Sequence, residues 1–382
     1  MSKSIVICCD GTGNEIKEHQ SNVLKFFRIL EKDERQVAYY DPGVGTISNS
    51  GAWAVLKNKA KGVFGLATGY GLDDNVLEAY RFIVKHYQQG DKIYLFGFSR
   101  GAYTVRVLAG FMKLIGLLSP EQDNLCGYAL TAYKQASEED DFKIAWRIHR
   151  VLQTNYVPIR FMGCWDTVGS VIIPRPDRFY VPSFQVLPYT HSNPSVQTFR
   201  HAMAIDERRR MFRLTPWKEP QKFKPNPFIK DDVAEDQDIK QVWFSGVHSD
   251  IGGGYPESES GAAKIALKWM MDEAAENGLR FRKKLPNLLV FGENPKNSTW
   301  HYAAPNETDD LHESMSWAWK ILEYLPKRSH RLEWYARRKV LGFYLPRSEP
   351  RDVDVTAQVH PSVYARKAKR DDYDPENLPL EL

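Results

Sequence analysis

The stretch that most limits the fold runs from Gly90 to Arg106 and reads GDKIYLFGFSRGAYTVR. An apolar run of strand length ends at a serine held between glycines, and a helical pattern starts at once. Gly97, Ser99 and Gly101 fit G-x-S-x-G. Those letters alone are a weak signal; the strand before them and the helix after them give them weight. A serine at such a junction sits at strained backbone angles in a very tight turn. Side chains two residues to either side would collide, so glycine is required there. The serine then projects from the carboxyl edge of a sheet. The next helix aims its free N–H groups and its positive dipole end at the reacting oxygen.

The rest of the chain repeats the strand-then-helix order. SIVICC (Ser4 to Cys9) reads as a buried parallel strand, NVLKFFRIL as a helix capped by Asn22, and QVAYY as a second strand. LDDNVLEAYRFIVKHYQQ is a helix with carboxylates in its first turn, and Gly90 ends it. Helices are expected near Gln122–Gln135 and Asp141–Leu152, and strands at VPIRFMGCWDTV and IKQVWFSGVHSD. SVQTFRHAMAIDERRRMF reads as helical, as does GAAKIALKWMMDEAAENG. The expectation is an α/β fold, α/β-hydrolase-like, with a mostly parallel sheet and flanking helices. Residues 1–382 would form a single domain with a Pro- and aromatic-rich cap insertion at 170–238. An irregular, polar C-terminal extension would follow from about 281. The apolar share of 42% is enough for a sizeable core.

A serine hydroxyl is a poor nucleophile unless a base and an orienting acid stand behind it. In α/β-hydrolases the chain order is Ser, acid, His, each after a later strand. Asp166 follows IRFMGCW and His248 follows QVWFSGV, which supplies that order. Of the ten histidines, His360 is the main competitor for the base, and Asp250 is the rival acid. The backbone N–H of Arg100 would be one oxyanion donor. Gly11 and Thr12, in CCDGTGN after the first strand, are the candidates for the second, with Asp10 ordering their loop.

Charge and cysteine usage remove several classes. A net charge of +4 is too small to indicate a nucleic-acid partner, and it is compatible with peripheral contact with an anionic membrane. The four cysteines form no C-x-x-C pair, so neither a thiolate zinc site nor a disulfide framework is expected. A cytoplasmic, reducing location follows, with no signal peptide or membrane span in view. Two alternatives stay open. Asp10, Asp166 and Asp250 at strand ends would suit a metal-dependent phosphohydrolase. A hydrolase fold without chemistry would be a binding protein.

CCDGTGN, AYYDPGVGT, GDKIYLFGFSRGAYTVR, GCWDTVGS, HAMAIDERRRMF, VWFSGVHSDIGGGY and VHPSVYAR occur in this order. Together they resemble an α/β-hydrolase family long catalogued as a domain of unknown function, which includes phospholipase effectors of bacterial type VI secretion. The resemblance implies a Ser-Asp-His triad at Ser99, Asp166 and His248, with no cofactor. It also implies a lipid or other small-molecule ester as substrate. Those effectors are generally larger, so little more than the hydrolase domain is expected here. Arg100 and the run Asp206 to Arg210 belong to the same pattern. Their guanidiniums would either hold a substrate phosphate or carboxylate or form internal salt bridges.

Overall fold

Strands that are buried on both faces need helices on both faces, and the chain supplies them. The computed structural model describes residues 2–11, 19–43, 71–138, 143–169, 172–174, 182–184, 187–226, 229–230, 233–296, 301–324, 326–328 and 340–379. Its main sheet contains β1 (Ser4–Cys9), β2 (Gln36–Asp41), β3 (Lys92–Phe98), β4 (Ile159–Trp165), β5 (Val196–Ala204), β6 (Asp238–Phe244) and β7 (Gln358–Val359). The order is β7-β6-β5-β4-β3-β1-β2, and every neighbouring pair is parallel. The helices are α1 (Asn22–Ile29), α2 (Leu72–His86), α3 (Arg100–Ile115), α4 (Cys126–Glu138), α5 (Lys143–Leu152), α6 (His248–Gly252), α7 (Gly261–Glu276), α8 (Leu285–Leu289), α9 (Trp317–Glu323) and α10 (Pro361–Lys369).

The period of two sorts the core. Ile5, Ile7, Ile93 and Leu95 face α2, α3 and α4, while Val6, Tyr94, Phe96 and Phe98 face α1 and α7. Each large apolar side chain buried in this way contributes roughly 1.5–3 kcal/mol. Among the described residues no helix is long and apolar enough to cross a membrane.

Three local readings change. Val196–Ala204 is a nine-residue strand, not a helix. Its polar residues mask a central strand because they are buried and satisfied. Arg200 pairs with Glu273 at 2.5 Å and with Asp238 at 2.6 Å, and His201 Nε2 accepts the Thr167 N–H at 3.0 Å. The cap of α1 is Ser21, whose hydroxyl accepts the Leu24 N–H at 3.0 Å; Asn22 is the first helical residue and holds the Ile251 and Ala263 carbonyls instead. The polar C-terminal stretch carries β7 and α10, so it is not wholly irregular.

The strand order also positions the chemistry. The chain leaves β1 for β2 on one side and then crosses to β3 on the other. At such a reversal the loops diverge and leave a crevice at the carboxyl ends of the strands, where ligands of open α/β sheets bind. Asp10 and Ser99 are the first residues past those two ends.

Candidate active site

Ser99 follows β3 directly and precedes the first residue of α3. Its backbone stands at φ 58 and ψ −120, a conformation that costs a non-glycine residue about 1–3 kcal/mol. The flanking glycines make the turn possible. A Cβ on Gly97 would lie 2.5 Å from the carbonyl carbon of Gly101, and one on Gly101 would lie 2.5 Å from that of Cys9. No side chain fits at either place, so the strand–helix packing itself demands glycine. The Ser99 N–H donates to Trp165 O at 3.0 Å, which ties the turn to β4.

Asp166 is the next residue after β4, and His248 opens α6 beyond β6. His248 Nε2 is 2.8 Å from Ser99 Oγ, and His248 Nδ1 is 2.5 Å from Asp166 Oδ2. Ser99 is 9% exposed, Asp166 0% and His248 4%, so bulk water does not compete for these bonds. Burial pushes the Asp166 carboxyl up. The Arg351 guanidinium and then the His248 ring outweigh it and hold the carboxyl well below the usual range. An ionised carboxylate can only accept, so His248 Nδ1 carries a proton, and in the neutral ring Nε2 then faces the serine with its lone pair. Phe98 and Phe212 flank the imidazole at 4.6 and 4.9 Å between ring centres.

The remaining candidates fall elsewhere. His360 caps α10, bonds Ser362 Oγ at 2.8 Å and stacks on Phe244 at 4.6 Å. Burial, with Lys268 nearby, pulls it down to about 4. Asp250 accepts from His312 Nδ1 at 2.7 Å and from the Val247 N–H at 3.0 Å. Asp10 accepts from Gly11 N–H at 2.7 Å, from Tyr40 OH at 2.8 Å and from Ser21 Oγ. It therefore orders its loop, but it takes up the Gly11 N–H in doing so. Thr12 lies outside the described residues. Burial pulls the Arg100 guanidinium down to about 10, which leaves it charged at neutral pH. Asp10, Asp166 and Asp250 thus serve three separate networks, and among the described residues no three His, Cys, Asp or Glu groups gather to hold a metal.

Two further buried side chains support the site. Arg351 reaches Asp166 from the C-terminal stretch, with Nη1 2.5 Å from Oδ1 and Nη2 3.0 Å from Oδ2. Glu207 accepts the backbone N–H of His248 at 3.2 Å and pairs with Arg209 Nη2 at 2.8 Å. Arg209 lies 3.5 Å from the centre of the Phe212 ring, so this guanidinium of the Asp206–Arg210 run forms an internal salt bridge and a ring contact. Glu207 belongs to a run already singled out by its charge. Arg351 sits in SEPRDVD, with no periodicity to mark it.

Residues 3–273 match the family described as T6SS, phospholipase effector Tle1-like, catalytic domain. An uncharacterized protein of Saccharomyces cerevisiae, YEL023C, is 32% identical over 246 residues, which is 59% of this chain and 33% of that one. The chain thus spans about a third of that relative's length. An uncharacterized protein from Pseudomonas aeruginosa has a crystal structure that covers 74% of this chain and 47% of its own, at 19% identity and a TM-score of 0.39. The Tle1 effector bound to the VgrG spike of the type 6 secretion system covers 66% of this chain and 51% of its own, at 18% identity and a TM-score of 0.30.

Proposed function

This chain belongs to the Tle1-like phospholipase effector catalytic-domain family, and from that premise we propose that it is a serine hydrolase that cleaves a carboxylic ester of a lipid. Membership supports lipid hydrolysis. The finer reading rests on one observation, the buried line from Ser99 Oγ through His248 to Asp166 at 2.8 and 2.5 Å. His248 takes the serine proton as Ser99 Oγ attacks the ester carbonyl. Asp166 keeps the imidazole in the required tautomer and stabilises the imidazolium that forms. The N–H of Arg100, at the N-terminus of α3, meets the developing oxyanion. Thr12 is the loop residue proposed for the second donor, because the Gly11 N–H is already bonded to Asp10. His248 then protonates the leaving alcohol, and water releases the acyl group from Ser99 by the reverse steps.

The test is labelling with a fluorophosphonate, read by peptide mass spectrometry, on wild type and on His248→Ala. An adduct on Ser99 that weakens strongly without His248 supports the reading. A folded wild-type protein that gives no adduct overturns it. Release of fatty acid from phosphatidylcholine vesicles, compared with cleavage of a soluble short-chain ester, then tests whether the ester is a lipid.

A further inference from the structure

Asp166 is held from a side that a serine–histidine–aspartate line does not require. Its Oδ1 accepts Arg351 Nη1 at 2.5 Å and the Ala204 N–H at 3.0 Å. Its Oδ2 accepts His248 Nδ1 at 2.5 Å and Arg351 Nη2 at 3.0 Å. A two-pronged guanidinium fixes the plane of a carboxylate, and with it the direction of any further bond. The fork is itself anchored. Nη1 also donates to Ala204 O at 2.8 Å and Nη2 to Phe212 O at 2.7 Å. The Arg351 carbonyl accepts Asn377 Nδ2 at 3.0 Å, and the same amide donates to Ile205 O at 3.0 Å. Arg351 is 4% exposed, so the charges interact with little screening.

We propose that Arg351 is a positioning residue for the hydrolysis. It fixes the Asp166 carboxylate against His248 and takes up part of that carboxylate's charge. The proposal rests on the Ser99–His248–Asp166 reading above. A guanidinium on the same carboxylate offsets part of the charge that would otherwise act on the imidazole alone.

Other charged and titratable groups surround the pair. Glu207 acts on His248 in the opposite sense, and Arg209 offsets it at 2.8 Å. His201 on β5 is kept neutral by burial and by Arg106 on α3. Arg351 is the cation bonded to Asp166 itself.

The experiment compares full-length wild type, Arg351→Lys and Arg351→Gln. It measures kcat and KM for p-nitrophenyl butyrate across pH, with circular dichroism as the check on folding. The glutamine variant, with donors but no charge, is expected to lose about tenfold or more in kcat/KM at neutral pH. Its acid limb should move up by about one pH unit. The lysine variant keeps the charge without the fork, so its limb should stay in place while kcat falls and KM does not change. An acid limb that stays put in the glutamine variant, or that moves equally in both, overturns the proposal. If the glutamine variant does not fold, wild-type kcat in the lysine variant overturns it. Fluorophosphonate labelling separates the two possible failures. Wild type that is not labelled at Ser99 removes the underlying reading, whereas labelled wild type with unmoved limbs removes only the role of Arg351.

Discussion

The two parts of the chain that meet at Asp166 are held together by different forces. The sheet from β1 to β6 is held by burial. Phe96, Phe161 and Trp165 are fully enclosed, and α1, α2, α3 and α7 cover both faces. Among its described residues, the stretch from 301 to 379 makes several directional polar contacts with the rest of the chain. His312 bridges Asp250 at 2.7 Å and Glu259 at 2.9 Å, Ser314 reaches Glu207 at 3.3 Å, and Tyr373 reaches Asp206 at 2.9 Å. Its apolar contacts with the sheet include a small cluster around Met203, Ile205 and Trp243 and the stacking of His360 on Phe244. The contacts to Asp250, Glu207 and Asp206 fall on or beside residues bonded to His248 or its neighbours. The sheet therefore supplies rigidity, and the C-terminal stretch supplies orientation. A part that orients need not bury much area, provided that its few bonds are directional.

The contrast can be broken at either part. The largest expected effect touches neither: Ser99→Ala should lower esterase turnover by about 10⁴-fold or more with an unchanged melting curve. Retention of activity in that variant would remove the nucleophile from the account. Next comes the sheet. Phe96→Ala, in the middle of β3, should cost about 3–5 kcal/mol in a urea titration, because it empties a site that cannot collapse. A loss below about 1 kcal/mol would mean that the core is looser than its burial implies.

Acid reports on the boundary between the two parts. Asp166 titrates well below an ordinary carboxyl because Arg351 and His248 outweigh its burial. Its stabilising contribution is therefore fully present above the unfolded value of about 3.9 and is lost as pH falls through the lower folded value. Wild type should exceed Asp166→Asn in stability at pH 5, and the gap should narrow in strong acid. A gap that did not change with pH would argue against the ion pair.

The smallest effect belongs to one contact between the docked stretch and the rest, that of His312 with Asp250 and Glu259. Burial lowers His312 and its two carboxylate partners raise it, and the partners prevail. The pairing is then fully present below the unfolded value of about 6.5 and fades as pH rises through the higher folded value. His312→Gln should lower the melting temperature by a few degrees at pH 6 and by less at pH 9. A larger deficit at pH 9 than at pH 6 would reverse the sign and refute the pairing.

The same contrast governs what could be read in advance. Strands β1, β3 and β4 announce themselves as mostly apolar runs, β6 by its apolar end VWF, and the glycines around Ser99 mark a turn that only steric crowding explains. β5 escaped because Arg200 and His201 break its apolar pattern. Their partners, Glu273 and the Thr167 amide, lie far away in the chain. Ser99, Asp166 and His248 each follow a strand, so position along the chain picked out three residues that the fold brings within hydrogen-bond reach. Arg351 follows no strand and repeats no period. Its meaning lies entirely in a contact across 185 residues, which no local pattern encodes.

That separation also sets a schedule. At a synthesis rate of roughly 5–20 residues per second, 185 residues amount to about 9–37 s between the appearance of Asp166 and that of Arg351. Strands β1 to β6 precede Arg351 in the chain and can pair during that interval, while Asp166 waits for its guanidinium. A ribosome-bound chain arrested before Arg351 should accordingly react with a fluorophosphonate far more slowly than the released protein, and equal rates would refute the delay. A growing chain would thus present Ser99, the proposed nucleophile, before Arg351 had been added to hold Asp166.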